Sequence, residues 1–368
     1  MILQPLDTLL DPISDDAITG VDPRTDVSPT SNYYFLKDVR NSARASERNA
    51  LIDEEPLLSI INEWKPILDK TPEFLINDCK DLEFVAWYIE ALCRFHGFKG
   101  LNYGFKLANE FIALYWNDLY PMPDDGDLND RISPLIGLNG IESEGSLIMP
   151  IKSLFITADS SEGQFSIWEY NQALIVDRLE DEKQQNKFDS GVIPLEKIMT
   201  AFKETPASFY VDLKDDIEQC IESFSILSAA MDSAMGGEPQ PTTYISKELQ
   251  SALVAVQQLA SDVLDKQTTT VELQRSTEDP EQLETAGQSV INQAALNQIF
   301  SRESAIENLS EIAEYFKKTE PHSPMSYAIE QVIRWSELTL PELLQELITD
   351  NDARNGFFKL SGIQKNND

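Results

Sequence analysis

The sequence predicts an all-α, multidomain protein, and three features carry that prediction. Lys80 to Pro121 is patterned as a buried helical hairpin, the helical period recurs from Ile167 towards the end of the chain, and proline and glycine clusters separate the periodic stretches. An amino-terminal bundle, a helical middle region and a small helical carboxy-terminal oligomerisation domain are expected, with limits at residues 1–160, 161–240, 241–290 and 291–368.

Residues 1–31 are rich in Pro, Asp, Ser and Thr and hold the turn cluster Gly20-Val-Asp-Pro-Arg24, so they read as an extended lead-in that wraps the helices behind it. Ser31 or Asn32 can cap a helix through Tyr33, Leu36, Val39, Arg40 and Ala43. Its other face carries Arg44 and Arg48, which with Arg40 make a basic cluster at i+4 spacing in an acidic chain. Either the three arginines pair with local carboxylates such as Asp22 or Glu47, or they dock a partner. Pro56 to Leu68 reads as one more helix with Leu57, Ile60, Ile61, Trp64 and Leu68 inward.

In the hairpin, Leu82, Val85, Ala86, Ile89, Leu92, Cys93 and His96 share one helical face. Phe84, Trp87, Tyr88 and Phe95 widen it until the helix must be covered on more than one side. Gly97 to Gly100 supply the connection, and Leu101, Phe105, Ala108, Phe111, Ile112, Tyr115 and Leu119 resume the period in an antiparallel second arm. The following loop places Asp125, Asp127 and Asn129 like the first ligands of a calcium-binding EF-hand. The template then fails at Asp130, where glycine is required, and at Ile136, where glutamate is required, so a solvated turn is expected. Residues 131–157 interleave Gly and Pro closely and read as irregular, with short extended pieces.

Helices are expected again from Ile167 through Leu179, from Pro194 to Phe202, and from Pro206 through Met231, where Tyr210, Leu213, Ile217, Cys220, Phe224 and Leu227 make one stripe. Gly236 to Pro241 ends that helix. Ile245 to Asp265 carries a two-heptad pattern of Leu249, Ala252, Val256, Leu259 and Val263, and residues 266–290 lose the period and read as a linker. The final segment holds a helix around Ala305 to Phe316, a hard turn at Glu320 to Pro324, a helix striped by Met325, Ile329, Val332 and Trp335, and a third over Leu340 to Ile348. So small a unit has little core of its own, and oligomerisation is an ordinary remedy.

A net charge of -34, from 63 acidic against 29 basic side chains, opposes the phosphate neutralisation that nucleic-acid binding needs and repels anionic membrane surfaces. Proteins are the expected partners. Three cysteines without paired spacing argue for a reducing compartment, and neither a signal-peptide pattern nor an apolar run of spanning length occurs, so a cytoplasmic protein without membrane insertion is expected. His96 lies on the hairpin's apolar face, where packing or capping is its expected role. His322, between Pro321 and the pair Ser323-Pro324, reads as a turn-fixing or subunit-contact residue, since neighbours on a turn seldom form a nucleophile and base pair. Phosphate loops, nucleophile elbows and Cys/His metal spacings are missing, so no cofactor, metal or enzymatic activity is expected.

The ordered succession Gly20-Val-Asp-Pro-Arg24, YYFLKDVRNSARASER, Trp64, KDLEFVAWYIEALCRFHGFKGLNYGF, YWNDLYP, Arg131-Ile-Ser-Pro-Leu and Leu138-Asn-Gly140 resembles the ImpA amino-terminal domain, which marks the TssA family of type VI secretion. YFKKTEPHSPMSYAIEQVIRW with LPELLQELITD resembles the carboxy-terminal domain of shorter, baseplate-associated members, whereas residues 165–290 carry no such likeness. The resemblance implies a ring-forming assembly factor that engages membrane-complex, baseplate, inner-tube and sheath proteins at the inner face of the bacterial inner membrane. It also implies no catalytic residues. Other family members cap the distal end of the sheath or sit at the opposite membrane. On this reading Pro321, His322, Ser323, Pro324 and Trp335 are candidates for the subunit contact, and Arg40, Arg44 and Arg48 for partner docking. The alternative is an acidic adaptor, unrelated to secretion, that docks a basic protein.

Overall fold

A computed structural model describes residues 3–28, 31–52, 57–123, 126–275, 302–319, 325–338 and 343. The chain divides into two compact units, Met1–Arg275 and Ser276–Asp368. Among the described residues every regular element is helical, and extended pairing is confined to isolated bridges at Gly20–Cys79, Asp81–Tyr120 and Phe155–Ser166.

The first unit is built around α4 (Leu82–Tyr115), which is two arms broken at Gly97. Gly97 holds φ 56° and ψ -137°, a left-handed conformation that a side chain would resist. The arms lie antiparallel: Ile89 faces Gly104 halfway along, and at the open end Leu82 N–H donates to Tyr120 O at 2.8 Å. Asp81 caps the first arm by accepting from the backbone of Glu83 and Phe84. Leu82, Ile89, Leu92, Phe105, Ala108 and Phe111 expose nothing, as the all-round apolar pattern requires.

One wall against the hairpin comes from α1 (Leu6–Leu10), α2 (Asn32–Ile52), a 3₁₀ segment (Leu57–Trp64) and α3 (Lys65–Asn77). The expected single helix from Pro56 to Leu68 is therefore two pieces. The backbone leaves helical geometry at Ile60, and Pro66, fixed in φ and lacking an N–H, sits in the first turn of α3, where neither property is a cost. The opposite wall is α10 (Ala207–Ala234), whose Phe224 ring lies 4.8 Å from that of Phe105, and α11 (Thr243–Arg275) packs on α10. A single hydrophobic core runs from Leu9 to Ala260.

Residues 131–157 are irregular only in part, with Phe155 making an isolated extended bridge to Ser166. They contain most of α5 (Leu128–Asn139) and all of α6 (Ile148–Lys152). Asp127 accepts from Asn129 N–H to start α5, and the Ser133 hydroxyl donates at 3.0 Å to the Asp130 carbonyl that Pro134, lacking an N–H, leaves free. Asp127 of the acidic loop thus serves as a helix cap, while Asp125 lies outside the described residues, and among the described residues no group of three or more His, Cys, Asp or Glu is placed to hold a metal ion. The middle region holds α7 (Ile167–Asp177), the unanticipated α8 (Asp181–Asp189), polar except for Phe188, and α9 (Leu195–Glu204). The linker reading of residues 266–275 is also overturned, because α11 continues to Arg275. The apolar period is lost there, but no glycine or proline stands in 266–275 to end the helix. Residues 276–290 lie outside the described residues.

The second unit shows α12 (Arg302–Thr319) and α13 (Met325–Glu337), joined by Lys317 Nζ to Glu330 Oε1 at 2.8 Å.

Candidate functional site: a charged seam in the amino-terminal bundle

Where α2 meets the first arm of α4, the interface is laced with ion pairs. At one end Arg24, on the lead-in, places Nη1 2.7 Å from Asp81 Oδ2 and 3.1 Å from Asp22 Oδ1, and Nη2 2.6 Å from Glu83 Oε2. The Tyr33 hydroxyl donates to the same Glu83 oxygen at 2.9 Å, and the guanidinium lies 4.9 Å from the Tyr33 ring centroid. Burial works to lower the Arg24 pKa, but Asp81 and Glu83 outweigh it and raise the guanidinium above its usual range. Asp81 has no exposed surface, and burial lifts its carboxyl above the ordinary range despite Arg24.

Midway, Arg40 Nε donates to Glu90 Oε2 at 2.5 Å, with the guanidinium 5.9 Å from the Trp87 ring centroid. The Glu90 side chain is fully buried, and its other oxygen has no hydrogen-bond partner among the described residues. At the far end Arg94 grips Glu47 through Nε at 2.5 Å and Nη2 at 2.8 Å, lies 3.7 Å from the Trp64 ring centroid, and donates to Glu90 O. Trp64 Nε1 donates to Glu47 at 2.8 Å, so one carboxylate joins α2, the 3₁₀ segment and α4.

Of the three arginines expected to pair locally or dock a partner, Arg40 faces inward to Glu90, Arg44 is half-buried and Arg48 is exposed. Burial lowers the Arg44 pKa from its usual value, with Glu90 opposing that shift and Arg40, Arg48 and Arg94 adding to it. The carboxylates proposed for them are occupied otherwise: Asp22 holds Arg24 and Glu47 holds Arg94. A sequence signal for the seam did exist. Glu90 and Arg94 stand at i and i+4 inside an otherwise apolar helix, where charge is tolerated only if paired.

In the second unit, Pro321, His322, Ser323 and Pro324 lie outside the described residues. Trp335, on α13, is half-buried with its Nε1 enclosed and without a hydrogen-bond partner among the described residues. Val332 of the same stripe remains 47% exposed, so α12 does not cover the stripe completely. His96 is half-buried beside the Gly97 break, and burial lowers the pKa of its imidazole.

Hairpin, α2, lead-in and α5 together define an all-helical domain held by a buried charge seam. Residues 10–140, which span these elements, match the family described as ImpA, N-terminal, type VI secretion system. Over 358 residues the chain is 23% identical to the type VI secretion system component TssA1 of Pseudomonas aeruginosa, covering 93% of this chain and 94% of that protein. Its fold is similar to a solved N-terminal domain, including the conserved ImpA_N region, of the TssA component of the type VI secretion system from Burkholderia cenocepacia. That likeness has a TM-score of 0.59 at 20% identity and covers 72% of this chain and 96% of that one. Residues 10–140 thus carry the ImpA N-terminal domain of type VI secretion, and the chain as a whole is similar to TssA components of that system. No helix among the described residues is long and apolar enough to cross a membrane.

Proposed function

We propose that this protein is a non-enzymatic assembly component of a type VI secretion system. Its carboxy-terminal unit closes a ring of identical chains, and the ring coordinates baseplate, inner-tube and sheath proteins at the cytoplasmic face of the inner membrane. The observation that carries this reading is the end-to-end similarity to TssA1, which spans both units rather than the amino-terminal domain alone. The uncovered stripe on α13 supports the ring, since an exposed apolar row on a small helical unit is the kind of surface that a neighbouring copy covers. Trp335 and the Pro321 to Pro324 turn are assigned to that contact, and Arg48, the outermost arginine of α2, to partner docking.

Light scattering of the full-length chain at tens of micromolar tests the ring. Several copies per particle are expected, and Trp335→Ala should reduce that number while the melting of the amino-terminal unit stays unchanged. A monomer at that concentration would reject the ring.

A further inference from the structure

We propose that the groove between α2 and the 3₁₀–α3 segment is a docking site for an arginine-bearing segment of a partner protein. The groove encloses about 580 Å³ and is lined by Tyr34, Phe35, Asp38, Val39, Glu63 and Pro66 among others. It lies on the face of α2 turned away from the charged seam. Tyr34 and Phe35 are 39% and 41% exposed, which is unusual for two adjacent aromatics on a helix whose other face is core.

Charge identifies the occupant. Asp38 and Glu63 are exposed carboxylates on opposite walls of the groove, and no ion pair among the described residues engages either one, whereas the carboxylates of the seam are paired. Aromatic faces beside carboxylates suit a guanidinium, which stacks on a ring and presents planar donors to an oxygen at its edge. This chain already uses that chemistry three times, with Arg24 near the Tyr33 ring and Asp81, Arg40 near the Trp87 ring and Glu90, and Arg94 near the Trp64 ring and Glu47. Phe35 itself attracts a cation, since Lys70 Nζ lies 4.4 Å from its ring centroid. The net charge of -34 adds a long-range attraction for basic partners. Val39 and Pro66 give the groove an apolar floor for the aliphatic stem of the arginine and for a neighbouring side chain.

Titration calorimetry of the full-length protein at low salt, with acetyl-Ala-Leu-Arg-Leu-Ala-amide as probe, decides the matter. Saturable binding is expected, lost when citrulline replaces arginine and weakened about tenfold or more by Asp38→Asn with Glu63→Gln. Both side chains are exposed, so the double variant should melt like the wild type, and Tyr34→Ala supplies an independent arm with the same loss. Absence of saturable binding, equal binding of the citrulline peptide, or equal binding by the double variant would each overturn the proposal. The inference rests on the groove alone. Its failure leaves the ring reading standing, and a monomeric chain leaves the groove standing.

Discussion

Glu47 and Arg94 form a buried bidentate pair, with Nε to Oε1 at 2.5 Å and Nη2 to Oε2 at 2.8 Å, across the boundary between α2 and the hairpin. The arginine side chain is 1% exposed and the carboxylate 9%, so removing either partner strands the other charge in the core. Glu47→Ala should destabilise the amino-terminal unit by about 3 to 5 kcal/mol in denaturant unfolding. Replacing both, as Glu47→Leu with Arg94→Met, should cost clearly less than the sum of the single losses, because neither charge is then orphaned. Additive losses would show that the two side chains act separately.

The hairpin was legible because periodicity reports which faces are buried, and Leu82 to Leu119 leave hardly any face polar. The Gly97 break was legible for the same kind of reason, since few residues other than glycine accept its backbone angles. What periodicity cannot report is which charge meets which. Arg40 and Glu90 stand 50 positions apart, and their pairing follows from how α2 lies on the hairpin. Local i, i+4 reasoning offers the arginines of α2 nearer carboxylates, or else a partner, and does not reach Glu90. Punctuation misled it differently at residues 131–157, where proline argued against helix and a serine hydroxyl, one residue before Pro134, repaired the break. Nor does the sequence report that Tyr34 and Phe35 are exposed, because it gives a helix's apolar residues without saying which of them find a neighbour.

Lys80 is wholly buried, with Nζ donating to Leu9 O at 2.8 Å and Leu75 O at 2.6 Å, the last-turn carbonyls of α1 and α3. Burial pushes its ammonium down to about 8, with Asp11 opposing weakly, against about 10.4 in the unfolded chain. Below about pH 8 the lysine is protonated in both states, and the folded chain carries the full cost of burying the charge. Between about 8 and 10.4 the unfolded state binds more protons, so stability must rise with pH. The unfolding free energy of wild type minus that of Lys80→Met should therefore increase across this window. A flat difference would mean that Lys80 titrates normally.

Cys79, Cys93 and Cys220 expose no surface. Burial pushes the Cys93 thiol up to about 12 and raises the other two as well, with Cys93 and Asp216 adding to the effect of burial at Cys220. Thiolates are the reacting species, so a disulfide reagent at pH 8 should modify the native protein only as fast as the core opens, while all three thiols should react promptly in denaturant. Prompt labelling of Cys93 in the native state would contradict its place between the hairpin arm and α10.

Gly104 lets the two arms of α4 meet. A β-carbon there would lie 2.6 Å from Ile89 Cγ1 and 3.3 Å from Leu92 Cδ1, and Ile89 is fully buried with nowhere to retreat. Alanine would gain up to about 1 kcal/mol of helix propensity over glycine, against about 1 to 3 kcal/mol for overpacking a filled core. The clash involves a branch carbon near the Ile89 backbone rather than a flexible tip, so overpacking should win and Gly104→Ala should lower the unfolding midpoint. Ile89→Ala alone should cost about 2 to 5 kcal/mol through the cavity it leaves. In the double variant the new methyl group occupies part of that cavity, so Gly104→Ala should become neutral or stabilising once Ile89 is alanine. Such a reversal of sign requires direct contact between the arms, and an unchanged effect of Gly104→Ala in the two backgrounds would mean that the arms do not touch there.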